Sequence, residues 1–215
     1  MSMKSLKIPY MPVLDSLDLP SAGNTLNSYA GKETIGVINW DKYPYKPEVT
    51  VSIARSDDSL YLHFSVKDNS LKAIYSEDNS PVHKDSCVEF FVKTVENSCY
   101  MNFEFNCIGA CDASRRKSRA EKTALTKEEY STIRRHSSLK KETFNEKSGI
   151  FSWELTVAIP LRLISLDPKA LPEKILANFY KCADETSFPH FVSWSPISLP
   201  EPDFHCPQFF GELYL

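Results

Sequence analysis

YMNFEFNCIG, residues 100–109, is the stretch from which the architecture is read. Met101, Phe103, Phe105 and Cys107 fall on one side of it, and Tyr100, Asn102, Glu104 and Asn106 on the other. Residues two apart share a face only in an extended chain, so this is a strand with one apolar face. The second face is rich in hydrogen-bonding groups. Such a face either lines a binding surface or meets water.

The same period continues outward in both directions. CVEFFV (87–92) reads as a strand before it. Further upstream, Val49, Val51 and Ile53 alternate with polar partners, and Asp57-Asp58 marks a turn. Leu60, Leu62, Phe64 and Val66 then form an apolar face opposite Tyr61, His63 and Ser65, which predicts a hairpin with His63 on the water side. Residues 67–84 are rich in Asp, Asn, Ser and Pro and read as a long connection. Downstream, Thr126 and Glu129 form a capping box for a short helix over about 127–135. FSWELTVAIP (151–160) puts Phe151, Trp153, Leu155, Val157 and Ile159 on one face, and Pro160 ends it before a helical turn at Leu161–Ser165. ILANFYKCA (175–183), FVSW (191–194) and FGELYL (210–215) are the last strands.

Roughly eight to ten strands and one or two short helices follow from this reading, without βαβ alternation. The expected fold is all-β: an antiparallel β-sandwich of jelly-roll-like or immunoglobulin-like layers. Residues 1–215 read as one domain, with an irregular, Pro-bearing arm over 1–35 packed on the sandwich.

Composition removes several function classes. A net charge of −3 gives a nucleic-acid partner no general support. No apolar run is long enough to span a membrane. The first residues lack the apolar centre of a secretory signal, so the compartment is read as cytoplasmic by default. Six glycines leave little for a phosphate-cradling loop. Cys87, Cys99, Cys107, Cys111, Cys182 and Cys206 form no CxxC pair and read as buried, reduced thiols. His190 and His205 bracket a loop near Asp203 and Cys206, but the spacing assigns no metal. No nucleophile elbow, zinc-protease or P-loop motif occurs. Carboxylate pairs such as Glu89 with Glu104 are of the type used in glycoside hydrolysis, but spacing alone selects none.

A saccharide site needs flat aromatic faces for the pyranose ring and amide or charged groups for its hydroxyls. The loops hold Tyr75, Trp194 and Phe204. The basic run from Arg115 to Lys141 reads either as a solvated face or as a source of Arg115 or Arg119 beside Asn106.

Four landmarks carry a resemblance to carbohydrate-binding modules of family nine. LYLHFSVKDNSL (60–71) looks like the family's strand and V-x-D turn. SPVHKDSCVEFFV (80–92) is similar to its P-W-x-x-D-S-V-E-I-F signature. YMNFEFNCIG matches the strand ending in Asn and Gly, and SWSP…PDFHCPQFFGELYL (193–215) resembles the closing W-x-x-P-x-x-F-G-x-L. The resemblance implies non-catalytic binding of an oligo- or polysaccharide, accessory to polysaccharide breakdown. It places one of two sandwiching rings at Phe204 and the other at Val82, where the aromatic is missing. It places a hydroxyl-binding acid at Glu89, a family Arg at Glu104 and a family Asn at Asn106. His83, Tyr75 or Trp194 then stands in for the missing ring. Structural calcium also occurs in the family. Asp57-Asp58 and Asp68-Asn69 offer oxygen ligands, but neither matches a recognised calcium loop, so no cofactor is assigned. The alternatives are a protein-interaction or structural sandwich that has lost sugar binding, and a glycan-active enzyme.

Overall fold

The alternating runs fold as strands, and the expected hairpin forms with Val51 opposite Phe64. The computed structural model describes residues 4–215. In chain order the strands are β1 (Ser5–Lys7), β2 (Lys32–Thr34), β3 (Val37–Ile38), β4 (Glu48–Arg55), β5 (Ser59–Ala73), β6 (Cys87–Thr94) and β7 (Tyr100–Asn106). They continue as β8 (Cys111–Arg116), β9 (Lys122–Ala124), β10 (Arg134–Ser137), β11 (Phe144–Pro160), β12 (Lys174–Cys182), β13 (Phe191–Ser193) and β14 (Gly211–Tyr214). Helix α1 (Leu19–Tyr29) precedes β2, and α2 (Lys127–Thr132) precedes β10.

Two sheets stack face to face. One runs β1-β14-β12-β6-β7-β8-β9, with β13 and β3 extending it beside β12. The other runs β10-β11-β5-β4-β2. Every pairing is antiparallel except that of β1 with β14 and a single bridge between Tyr10 and Arg55. The apolar faces read from the sequence meet between the layers. Leu60, Leu62 and Phe64 oppose Phe90, Phe103, Phe105 and Phe179, and Trp153, Leu155, Val157 and Ile159 join them. Phe90 stacks on Phe179 with centroids 5.3 Å apart. Burying such side chains contributes roughly 1.5–3 kcal/mol each, which makes this interior the main source of stability.

Four local expectations change. Residues 4–35 are not an irregular arm, and residues 1–3 lie outside those described. Asp18 caps α1 by accepting a hydrogen bond from the Ser21 amide at 2.8 Å, and Pro20 in the first turn suits a helix start. Ala22 and Leu26 bury against Ala54, Tyr61 and Ala158 on the outer face of the five-stranded sheet. His63 is therefore not a water-facing residue. It is buried beneath α1, with Nδ1 3.0 Å from Thr156 Oγ1. Strand β5 runs on to Ala73 because β11 pairs with it throughout, so the connection shrinks to 74–86. Helix α2 ends at Thr132, and Arg134 and Arg135 lie on β10. The capping box itself forms as expected: Thr126 Oγ1 accepts from the Glu129 amide, and Glu129 accepts from the Thr126 amide.

One buried ion pair ties the layers together. Lys181 of β12 points inward, and its Nζ lies 3.0 Å from Asp68 Oδ2 of β5 with neither side chain exposed. Tyr45 Oη donates to the other Asp68 oxygen at 2.8 Å. Burial pushes the Asp68 carboxyl up, but the Lys181 ammonium and the Tyr45 hydroxyl help bring it below its ordinary value. His190 itself is lowered to about 3 by burial and by Lys181, so it is neutral at pH 7. Both Asp68 oxygens thus already have partners, the Lys181 ammonium and the Tyr45 hydroxyl. Asp57 accepts a hydrogen bond from Tyr10 Oη at 2.5 Å, in the turn before β5.

Candidate functional site

The outer face of the nine-stranded sheet carries what the inner face excludes. Along β6, β7 and β8 the side chains opposite the core are Glu89 and Phe91, then Asn102, Glu104 and Asn106, then Asp112, Ser114 and Arg116. Strand register brings Glu89 opposite Glu104, and Glu104 opposite Asp112. Three carboxyls therefore form a row across three strands. Tyr180 of β12 continues the row beyond Glu89.

Half of this face is roofed by aromatic residues. Trp40, Phe91, Tyr100, Tyr180, Ile197 and Phe210 bury together beneath the 195–210 segment. The acidic half remains open as a cleft of about 500 Å³. Its floor is Glu89, Glu104, Asp112 and Cys182. One wall is His83 with Asp184, another is Arg116, Arg119 and Lys122, and the third is Tyr43, Phe191 and the 201–205 segment.

Phe204 stands in that third wall. One face stacks on Tyr180, with centroids 4.1 Å apart and planes 9° from parallel. Phe191 meets its edge at 6.2 Å and Trp40 lies 6.2 Å away. Tyr43 packs edge-on against Phe191 at 4.8 Å. The ring is half-buried and held on several sides, so its neighbours fix its orientation.

The floor is a network of shared protons and charges. Asn102 donates to Glu104 Oε1 at 3.0 Å and accepts from Arg116 Nε at 2.7 Å. His83 Nδ1 lies 3.5 Å from Glu104 Oε2. Cys182 donates its thiol to Glu89 Oε1 at 3.1 Å. Burial, then the neighbouring Glu104, pushes the Glu89 carboxyl well above its ordinary value. Burial raises Asp112 and Asp184 as well. The hydrogen bond to Glu104 raises His83. His205 Nδ1 lies 3.0 Å from Tyr100 Oη, and burial followed by the Arg116 charge lowers it to about 3. The cleft thus presents donors and acceptors side by side, fixed in place before any ligand arrives.

Of the residues expected in the site, Phe204, Glu89, Glu104, His83 and Arg119 line the cleft. Arg119 sits at the mouth, 3.7 Å from Asp203. Four others do not line it. Trp194 has no exposure; its ring packs against Phe179 in the core and its Nε1 donates to Glu33. It is therefore not a ring platform. Asn106 is fully buried, with Nδ2 donating to Tyr75 O and Asp85 Oδ2 and Oδ1 accepting from the Ala110 amide. Its amide is spent on the turn that Gly109 closes at φ 85°. Tyr75 is half-buried against Val82 and Cys182, behind the cleft wall. Arg115 points the other way and pairs with Glu129 at 2.5 Å. Its neighbour Arg116 takes the place expected for it. Val82 is buried, and of the three rings expected to stand in for the missing aromatic only His83 lines the cleft.

Sequence reasoning missed Tyr43, Asp112, Arg116, Lys122, Asp184, Phe191 and His205. Cys-Asp-Ala-Ser-Arg-Arg carries the period-two signal that would have placed Asp112 and Arg116 on one face. It was hidden inside a basic run.

Comparison with known proteins agrees with this architecture. The family described as "Carbohydrate-binding family 9" matches residues 24–215. A crystal structure of "a putative carbohydrate-binding protein" from Bacteroides uniformis superposes with a TM-score of 0.93 at 38% identity, covering 99% of both chains. A family 9 module from Caldicellulosiruptor kristjanssonii, solved with glucose, has a TM-score of 0.59 at 14% identity, covering 98% of this chain and 95% of that one. The same organism's module solved with cellotriose gives 0.56 and 14%, over 98% and 93%. No curated protein matches. No helix among the described residues is long and apolar enough to cross a membrane. With a two-sheet sandwich throughout and a family match over nearly all of its length, the chain belongs to carbohydrate-binding family 9.

Proposed function

We propose that the cleft binds the end of an oligo- or polysaccharide and leaves it chemically unchanged. The observation that carries this reading is the pairing of one held ring, Phe204, with hydrogen-bonding groups of the floor and walls, Glu104, Asp112, Arg116 and His83. A pyranose has apolar C–H faces and an equatorial rim of hydroxyls, and each hydroxyl both donates and accepts. The stacked ring suits the first. Mixed carboxyl, guanidinium and imidazole groups suit the second. The likeness to family members solved with glucose and cellotriose supports the same ligand class.

The non-catalytic part of the reading rests on how the acids are used. Glu89 and Glu104 are buried side by side and already engaged by Cys182, Asn102 and His83. Neither stands free to attack a sugar or activate a water. The protein then serves polysaccharide breakdown by holding a glycan for other proteins to cut. A second reading, a sandwich that keeps the fold and binds protein instead, is favoured by the buried Val82 in place of a second ring.

A glycan array with wild type and Phe204→Ala separates these readings. Binding by wild type that weakens on losing the ring supports the saccharide site. No glycan bound by wild type supports the second reading. Release of reducing sugar that Glu89→Gln abolishes would overturn the non-catalytic assignment.

A further inference from the structure

Cys87 and Cys182 are direct cross-strand partners on β6 and β12, and both point to the outer face of the sheet. Glu89 follows Cys87 on that same face. The two sulfurs and a Glu89 oxygen all lie within 4.8 Å of one another, the one such group of metal-ligating side chains among the described residues. We propose that Cys87, Cys182 and Glu89 form a binding site for a thiophilic divalent cation of the zinc class, set in the floor of the cleft.

The chemistry of the donors favours this cation class. Two thiolates and one carboxylate are the soft and borderline ligands that zinc, cobalt and cadmium take, whereas magnesium and calcium prefer oxygen alone. A zinc site with three protein ligands leaves one position open. Glu89 and Cys182 both line the cleft, so that position faces it. The remaining partners of the three groups are weak. The Cys87 thiol reaches Val88 O at 3.7 Å, and the Cys182 thiol reaches His83 O at 3.6 Å. Otherwise the groups have mainly each other.

Without an ion, burial favours the neutral form of all three. It pushes the Cys87 thiol up to about 12 and raises Cys182 and Glu89 well above their ordinary values. An entering cation takes the place of up to three protons: two leave the thiols and one leaves the carboxyl. Affinity then rises with pH as that displacement becomes easier. The other buried cysteines offer no comparable set. Cys107 reaches only Lys72 O, and Cys206 only Asp203 O.

Titration of the reduced protein with cobalt(II) tests the site. The expected result is one equivalent bound, with the thiolate-to-cobalt charge-transfer absorption of two sulfurs. That absorption is lost in Cys87→Ala and in Cys182→Ala, is retained in Cys206→Ala, and needs about tenfold or more cobalt in Glu89→Gln. Phe204→Ala retains it, so failure of the saccharide reading leaves this result standing. No thiolate absorption in the reduced wild type, or absorption unchanged in both Cys87→Ala and Cys182→Ala, overturns the proposal. Should an alanine variant fail to fold, cadmium NMR of the wild type decides. A shift typical of two sulfur ligands supports the site, and one typical of oxygen ligands alone contradicts it.

Discussion

Glu89 and Glu104 face each other across neighbouring strands, and each is under 5% exposed. Two carboxyls placed this way resist ionising together, and burial adds to the resistance. With its proton affinity raised, Glu89 keeps its proton in the folded state at pH values where the unfolded chain has lost it. Stability from this group is therefore full at low pH and is lost as pH rises from the unfolded value, about 4.3, through the raised folded one. Glu89→Gln removes that penalty. The melting temperature of the variant minus that of wild type is expected to be larger at pH 8 than at pH 4. A difference independent of pH contradicts the assignment of Glu89 as a raised acid.

Trp194 and Phe204 were expected to share a role, and the structure separates them. Phe204→Ala is expected to weaken saccharide binding by about 1–2 kcal/mol, roughly tenfold, with a modest change in melting. Trp194→Ala removes a large ring from the core and is expected to destabilise the fold by about 3–5 kcal/mol. Isothermal titration and thermal melts of the two variants read the two effects. Equal loss of stability in both contradicts the placement of Phe204 in the cleft wall.

Gly23 sits where α1 touches the sheet. A Cβ there would collide with Thr156 Oγ1 and come within 3.0 Å of His63 Nδ1. Gly23→Ala is therefore expected to lower stability by about 1–3 kcal/mol, although alanine is the better helix former. An unchanged urea midpoint contradicts the close approach of helix and sheet.

Asp68→Asn leaves the Lys181 ammonium buried without its counter-charge. Breaking one side of such a pair is expected to destabilise by about 3–5 kcal/mol, and the double change Asp68→Asn with Lys181→Met by less than the two losses added. Additive losses in denaturant melts contradict a direct pairing.

The sandwich was legible because one face of each central strand is uniformly apolar. Leu60 to Val66, Met101 to Cys107 and Trp153 to Ile159 all turn the predicted side inward. Where a strand buries both faces, alternation says less. Tyr61 and His63 sit on the second face of β5, covered by α1, and nothing in their own spacing announces that cover. Helix α1 escaped notice because its weak apolar stripe and Pro20 read as a loop, although Asp18 was a fair cap signal. The polar face of β7 did mark the cleft, through Glu104. Asn106 on the same face went to a turn, because an Asn side chain serves a backbone bend as readily as a ligand. Arg115 and Arg116 show the same limit. One-residue steps decide which arginine reaches the cleft, and only the register of β7 with β8 fixes that step.

The central claim is that saccharide lies between the Phe204 ring and the acidic row. Crystals soaked with glucose and short gluco- and xylo-oligosaccharides test it most directly. The account expects a sugar ring over Phe204 with hydroxyls on Glu104, Asp112 or Arg116. Sugar bound on another face, or none bound in the crystal or in solution at any accessible concentration, would contradict it.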